Sequence, residues 1–250
     1  MATNTTLAPI NPTLDGEAIA TCNAPSFYND RHWRHQYGVT PLPAIIKTTT
    51  LRSPWILTTS RHRLRCLKAI DNTTGELLAY ARWILPDGMV GDDGVWPEAL
   101  IPAATEDEIN LFKENYLSTE LPEPGAGVNR SMTRSLGDAP GNLDARTRAK
   151  YSDRSFLELD YLAVRQGHQG NGLGKMLVRH GIKKAQEIGC HLIIMGFTEK
   201  GRYLYNSMPE LKYEGEVRQD CSQWKEGREE GCECVAGFWV ALNKGAENSD

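Results

Sequence analysis

No apolar run in this 250-residue sequence approaches the ~18 residues that cross a bilayer as a helix, so no membrane partner is expected. No excess of one charge exists either: 28 Lys and Arg face 32 Asp and Glu, a formal net charge of −4. Without a basic surplus there is no general pull toward nucleic acid, and none is expected as a partner. Met1 to Leu14 lack both a basic segment and an apolar stretch, so a secretory signal is not expected. The six cysteines (Cys22, Cys66, Cys190, Cys221, Cys232, Cys234) are dispersed and form no C-x-x-C pair. That spacing argues against a zinc site and against a disulfide framework, so the expectation is reduced thiols, no metal and a cytoplasmic location. No internal repeat is visible.

What is present is an ordinary globular composition, 40% hydrophobic. A chain of this size hides about 70–75% of its unfolded surface in one core. Residues 1–20 are rich in Thr, Asn and Pro and are expected to form a flexible leader, with residues 244–250 as a flexible tail. Between them, 21–243 forms a single domain with a long insertion at 86–155. The aromatic and basic stretch from Phe27 to Tyr37 suits a first helix. Leu64–Ile70 and Leu77–Leu85 read as strands joined by the turn residues Asp71 to Gly75, an antiparallel hairpin.

Within the insertion, Thr105 and Glu108 have capping-box spacing ahead of Ile109, Phe112 and Tyr116, which predicts a helix. Residues 121–153 are mostly Pro, Gly, Ser, Asn and Arg, and are expected to be irregular, either a tolerated insertion or a lid. Regular patterning returns with a strand at Phe156–Val164 and a helix carrying Leu173, Met176, Leu177 and Ala185 on one face. A short strand at His191–Gly196, a helix over Arg202–Met208 and a closing strand at Cys234–Leu242 follow.

The informative segment runs from Leu157 to Leu177. A strand enters a turn with glycines at 167, 170, 172 and 174, and the turn opens into a helix. Glycines let a ligand approach the backbone, and the first N–H groups of a helix lack intrahelical partners. With the positive end of the helix dipole they form an anion site suited to a phosphate, and Lys175 adds a charge. The dinucleotide fingerprint requires G-x-G-x-x-G, whereas Gly170, Gly172 and Gly174 are spaced G-x-G-x-G. A phosphate-binding P-loop requires Ser or Thr after its Lys, and position 176 is Met.

Gln169-x-x-Gly172-x-Gly174 after a strand ending in Ala163-Val164 resembles the pyrophosphate loop of the GNAT superfamily of acyl-CoA N-acyltransferases. The resemblance covers about residues 156–213 and extends loosely to the Leu64–Trp83 hairpin. It implies an α/β (α+β) fold, a mixed, twisted sheet splayed at its middle and flanked by helices, with acetyl-CoA or another acyl-CoA lying in the splay. It also implies that the amides of Gln169, Gly170, Asn171, Gly172, Leu173 and Gly174 hold the pyrophosphate. Backbone groups of Leu162 and Val164 would bond the pantetheine arm, and N–H groups from Leu162 through Ala163 to Val164 would face the oxyanion.

Acyl transfer to an amine requires a base, because an alkylammonium with a pKa near ~10 has no lone pair. Glu158 and Asp160 alternate to one strand face, ~7 Å apart at ~3.3 Å per residue. Such a pair raises at least one carboxyl pKa. The resemblance implies Glu158 as the base, with Asp160 second. By the same resemblance Tyr205, in Tyr203-Leu204-Tyr205, protonates the CoA sulfur, while Tyr203 is expected to pack. Thr198, Gly201 and the lengthened Met208–Tyr213 link depart from the family pattern. His32, His35 and His168 read as solvated, and Arg31, Trp33 and Arg34 either line an acceptor pocket or pack. The function implied is transfer of acetyl to a primary amine of a small molecule. A protein lysine or N-terminal acceptor, or a CoA-binding module without catalysis, would use the same residues.

Overall fold

The computed structural model describes residues 4–37, 40–119, 130–220 and 233–243. In chain order the elements are β1 (Thr5–Pro9), α1 (Pro12–Phe27), α2 (Arg31–Tyr37), α3 (Leu42–Thr59), β2 (Leu64–Asp71) and β3 (Leu77–Ile84). Two short 3-10 turns precede α4 (Glu106–Ser118) and α5 (Arg130–Lys150). Then come β4 (Phe156–Val164), α6 (Leu173–Glu187), β5 (His191–Gly196), α7 (Glu199–Asn206), β6 (Lys212–Asp220) and β7 (Glu233–Ala241). The strands form one sheet in the order β1-β2-β3-β4-β5-β7-β6. β4 and β5 run parallel, and the other described pairs are antiparallel. Among the described residues no helix is long and apolar enough to cross a membrane.

Local chemistry explains the turns and caps. Asp71 Oδ1 accepts the N–H groups of Thr73 and Thr74, and Gly75 takes φ +74, which closes the β2–β3 hairpin. Thr105 and Glu108 form a reciprocal capping box at α4. Thr198 caps α7 by accepting the Gly201 N–H at 3.0 Å.

Two stretches expected to be irregular are ordered. Residues 1–20, expected as a leader, contain β1 and the first half of α1. β1 pairs with β2 from Thr5↔Asp71 to Pro9↔Leu67, and Ile10 is buried behind it. Asn11 caps α1 by accepting the Thr13 N–H at 2.9 Å, and Pro12 occupies the first helical position, where its missing N–H is harmless. The helix packs on α3 through small residues: a Cβ on Gly16 would stand 3.2 Å from Pro54 Cγ. Small residues give little hydrophobic periodicity, so the helix is quiet in the sequence.

In the region 121–153, residues up to 129 lie outside the described part, but 130–150 form α5 rather than an irregular loop. Glu214 fastens the end of this helix to β6. Its side chain is only 4% exposed and accepts from Lys150 Nζ at 2.6 Å, with Lys212 Nζ at 3.2 Å. The expected tail at 244–250, with Cys221 and Cys232, lies outside the described residues; Cys22, Cys66 and Cys190 are free and buried, and Cys234 is buried.

The main core lies between the sheet and α6, whose Leu173, Leu177, Val178 and Ile182 meet Leu157, Leu159 and Trp83. Gly181 sets how closely helix and sheet approach, because a Cβ there would sit 2.5 Å from Trp83 Nε1. Gly181→Ala gains about 1 kcal/mol of helix propensity but overpacks a fully buried indole, which costs about 1–3 kcal/mol. At about 2–4 °C per kcal/mol for a domain of this size, a thermal melt is expected to fall by several degrees at the upper end of that range. A raised melting temperature would show that the indole yields freely.

Candidate functional site

Pairing between β4 and β5 runs from Phe156↔His191 to Leu159↔Ile194 and then stops. β4 continues to Val164 and β5 to Gly196, so the sheet opens at its middle. The β3–β4 ladder fixes which backbone groups face this opening. Arg165 N–H donates to Leu78 O at 2.8 Å, and the register continues through Ala79↔Val164, Tyr80↔Ala163 and Ala81↔Leu162. Alternate antiparallel pairs exchange both hydrogen bonds. The Ala163 amide and carbonyl therefore turn toward β3, while those of Leu162 and Val164 turn toward the opening. Val164 O accepts there from Ser26 Oγ at 2.6 Å and from Gln169 Nε2 at 3.2 Å. Ala163 is buried beside Tyr80, so it does not join the groups at the opening.

A register shift between Arg82 and Trp83 skips Asp160: Tyr161 opposes Arg82, and Leu159 opposes Trp83. Such a bulge re-aims the side chains that follow it. Before the bulge, Leu157 and Leu159 enter the core under α6, and Glu158 faces the other side of the sheet. After it, Tyr161 and Ala163 join the cluster around α1, while Leu162 and Val164 pack toward α6. Asp160 is ion-paired with Arg82, whose guanidinium lies 5.2 Å over the Tyr161 ring.

Glu158 lines a cavity of about 160 Å³ with Asp144 and Arg148 of α5, Ile193 and Met195 of β5, and Phe197. Arg148 Nη2 donates to Glu158 Oε2 at 2.6 Å, and its Nε donates to Asp144 Oδ2 at 2.8 Å. Burial raises the Glu158 carboxyl pKa above its ordinary value; Arg148 opposes this rise, and Asp144 and Asp160 add to it. The His32 ring of α2 stacks on Phe197 at 4.3 Å. Trp33 stacks between Phe27 and Tyr37, so within the basic–aromatic patch it packs; Arg34 covers the Tyr28 ring, and the Arg31 side chain is outside the described part.

On the opposite face, the glycine turn leads into α6. Gly167, Gly170 and Gly172 take φ of +88, +83 and +85. Gly172 caps α6 without a side chain. The first i→i−4 bond runs from Met176 N–H to Gly172 O at 3.0 Å, leaving the Leu173, Gly174 and Lys175 amides ahead of it. Gly170, Asn171 and Gly172 are exposed, and a Cβ on either glycine would meet nothing within 4 Å. The turn therefore has room for a bulky anion. Gln169 lies across it, held by Val164 O and by Lys200 Nζ at 2.8 Å. Lys175 is half-buried on the first turn of α6. Leu173 and Gly174 are buried; a Cβ on Gly174 would stand 3.2 Å from Leu204 Cδ2, so this glycine also lets α7 come close.

Tyr205 sits on the α6 side of the sheet, 6% exposed, its ring centroid 5.1 Å from that of Trp239. Burial pushes its phenol pKa up, which keeps the hydroxyl protonated. Tyr203, expected to pack, is instead 81% exposed, because α7 turns Leu204 and Tyr205 toward the sheet. Sequence reasoning missed Asp144, Arg148, Phe197, Lys200 and Ser26. The i,i+4 spacing of Asp144 and Arg148 was a usable helical signal, hidden in a stretch read as irregular.

The model of the Acetyltransferase (GNAT) family matches residues 141–205, from α5 to α7. No curated protein sequence matches the chain. Among solved structures, an agmatine N-acetyltransferase is 14% identical, with 95% of this chain and 98% of that one covered at a TM-score of 0.53. A Drosophila melanogaster polyamine N-acetyltransferase, an enzyme that forms N-acetylagmatine, is 13% identical, with 94% and 98% covered at 0.52. The C-terminal condensation domain of Ebony, in complex with β-alanyl-dopamine, is 11% identical, with 94% and 97% covered at 0.56. At these identities the likeness is one of fold. Together with the splayed mixed sheet and the glycine turn, it shows that the chain has the fold of GNAT acetyltransferases, with residues 141–205 matching that family's model.

Proposed function

We propose that the chain, with 4–243 acting as one domain, is an acyl-CoA-dependent N-acyltransferase that moves acetyl from acetyl-CoA to the primary amine of a small molecule by direct attack. The observation that carries this reading is the opening between β4 and β5. It has an open glycine turn leading into α6 on one side and a half-buried carboxylate, Glu158, lining a cavity on the other. The amides of Gly170 to Lys175 would hold a diphosphate, with Lys175 and Lys200 adding charge. The backbone of Leu162 and Val164 would hold an extended arm along β4. Acyl-CoA supplies a thioester carbonyl that an amine can attack. Glu158, directly or through water, takes the proton of the amine; Asp160, already paired with Arg82, holds the bulge. Backbone N–H groups of Leu162 and Val164 stabilise negative charge on the carbonyl oxygen, and Tyr205 donates a proton toward sulfur.

The small, partly roofed cavity favours a small-molecule acceptor, as do relatives in fold that act on agmatine and polyamines. With purified protein and acetyl-CoA, free thiol is expected to appear in step with acetylated amine, and only when a primary amine is supplied. Protein that binds acetyl-CoA yet releases no thiol with any amine in a broad panel would be a binding module rather than an enzyme.

A further inference from the structure

We propose that the cavity beside Glu158 selects a monoamine with a flat apolar body, and that Arg148 rejects acceptors carrying a second cation. The inference rests on the acyltransferase reading above. Two carboxylates, Glu158 and Asp144, and the guanidinium bridging them give the described cavity a single net negative charge. The neighbouring Arg82 and Asp160 neutralise each other. One ammonium completes the balance. A second cation on the same chain would face the guanidinium in a partly dehydrated space, where like charges repel more strongly than in water.

The remaining walls set the shape. Met195 is 37% exposed on a strand whose other residues are buried, so its soft side chain is presented to the cavity rather than to the core. Ile193 lies beside it, and Phe197 is backed by the His32 ring at an interplanar angle of 23°. A flat ring or short apolar chain gains contact with these three side chains. A flexible polyamine gains little and brings surplus charge.

The test is kcat/KM with acetyl-CoA for 2-phenylethylamine, putrescine and agmatine. The wild type is expected to favour 2-phenylethylamine by about tenfold or more, the scale on which apolar pockets discriminate. Arg148→Gln is expected to narrow that ratio by improving the diamines. Phe197→Ala is expected to narrow it by weakening 2-phenylethylamine. Each ratio is taken within one preparation, so partial misfolding of a variant cancels. Equal or better use of putrescine and agmatine by the wild type would overturn the proposal, as would variants that scale all three amines alike. Both results leave the acyltransferase reading standing. Absence of thiol release with every amine would remove that reading, and this inference with it.

Discussion

Gly172→Glu is expected to abolish acyl-CoA binding while the fold survives. The residue caps α6 with φ +85, a conformation that costs an L-residue about 1–2 kcal/mol. The new carboxylate would also sit at the helix N-terminus and compete with a diphosphate for the Leu173, Gly174 and Lys175 amides. The strain is common to the free and bound protein and lowers stability; the affinity falls because the carboxylate repels the diphosphate, by about 4 kcal/mol for like charges ~4 Å apart near a surface, which exceeds a hundredfold. The turn is exposed and a Cβ there meets no neighbour, so the melting temperature should move by only a few degrees. Titration calorimetry with CoA checks the prediction, and Gly172→Ala, carrying strain without charge, should bind much nearer the wild type. If Gly172→Glu binds CoA as the wild type does, the nucleotide is not held by this turn.

Glu158→Gln is expected to lower kcat by about 10²–10⁴ with CoA affinity unchanged, the usual range for loss of a general base. The pH profile supplies the sign. A base works only when deprotonated, so kcat/KM falls as pH drops through the Glu158 pKa. Burial raises that pKa above the ordinary ~4.3 of a glutamate, so the acid limb should lie above the range of an exposed carboxylate. In the Gln variant this limb should vanish. Asp160→Asn should keep the limb but destabilise the protein, because Arg82 would lose its partner near the bulge. A Gln variant with the wild-type limb and rate would assign the base elsewhere.

The segment from Phe156 to Gly196 was legible because its rules agree locally. Leu157 and Leu159 alternate with Glu158, the helical face of α6 repeats regularly, and the glycines stand where positive φ is required. The hairpin was legible for the same reason, with Asp71 and Gly75 between two apolar strands. β1 and α1 were not, because their order comes from β2 and α3, distant in sequence. α5 carries Pro140 and Gly141 within its span, which read as breakers. β6 alternates Lys212, Glu214, Glu216 and Arg218 along the sheet edge, a charged pattern that protects an edge strand and conceals it from a search for apolar runs. The bulge at Asp160 arises from register with β3, so the separation of Glu158 from Asp160 is a tertiary fact and not a spacing one.

Four residue pairs stitch the sheet together across its centre. Beyond them, the β5-β7-β6 half leans on the β1–β4 half through α6 and side-chain packing. A slender molecule lying along Asp160 to Val164 would stand in for the missing strand and rivet the halves to each other. Since only the folded chain offers this slot, saturation at a hundred times Kd adds about 2.7 kcal/mol to the free energy of unfolding. The carrier would thus act as a removable structural member, and the empty protein would be the mechanically weaker one.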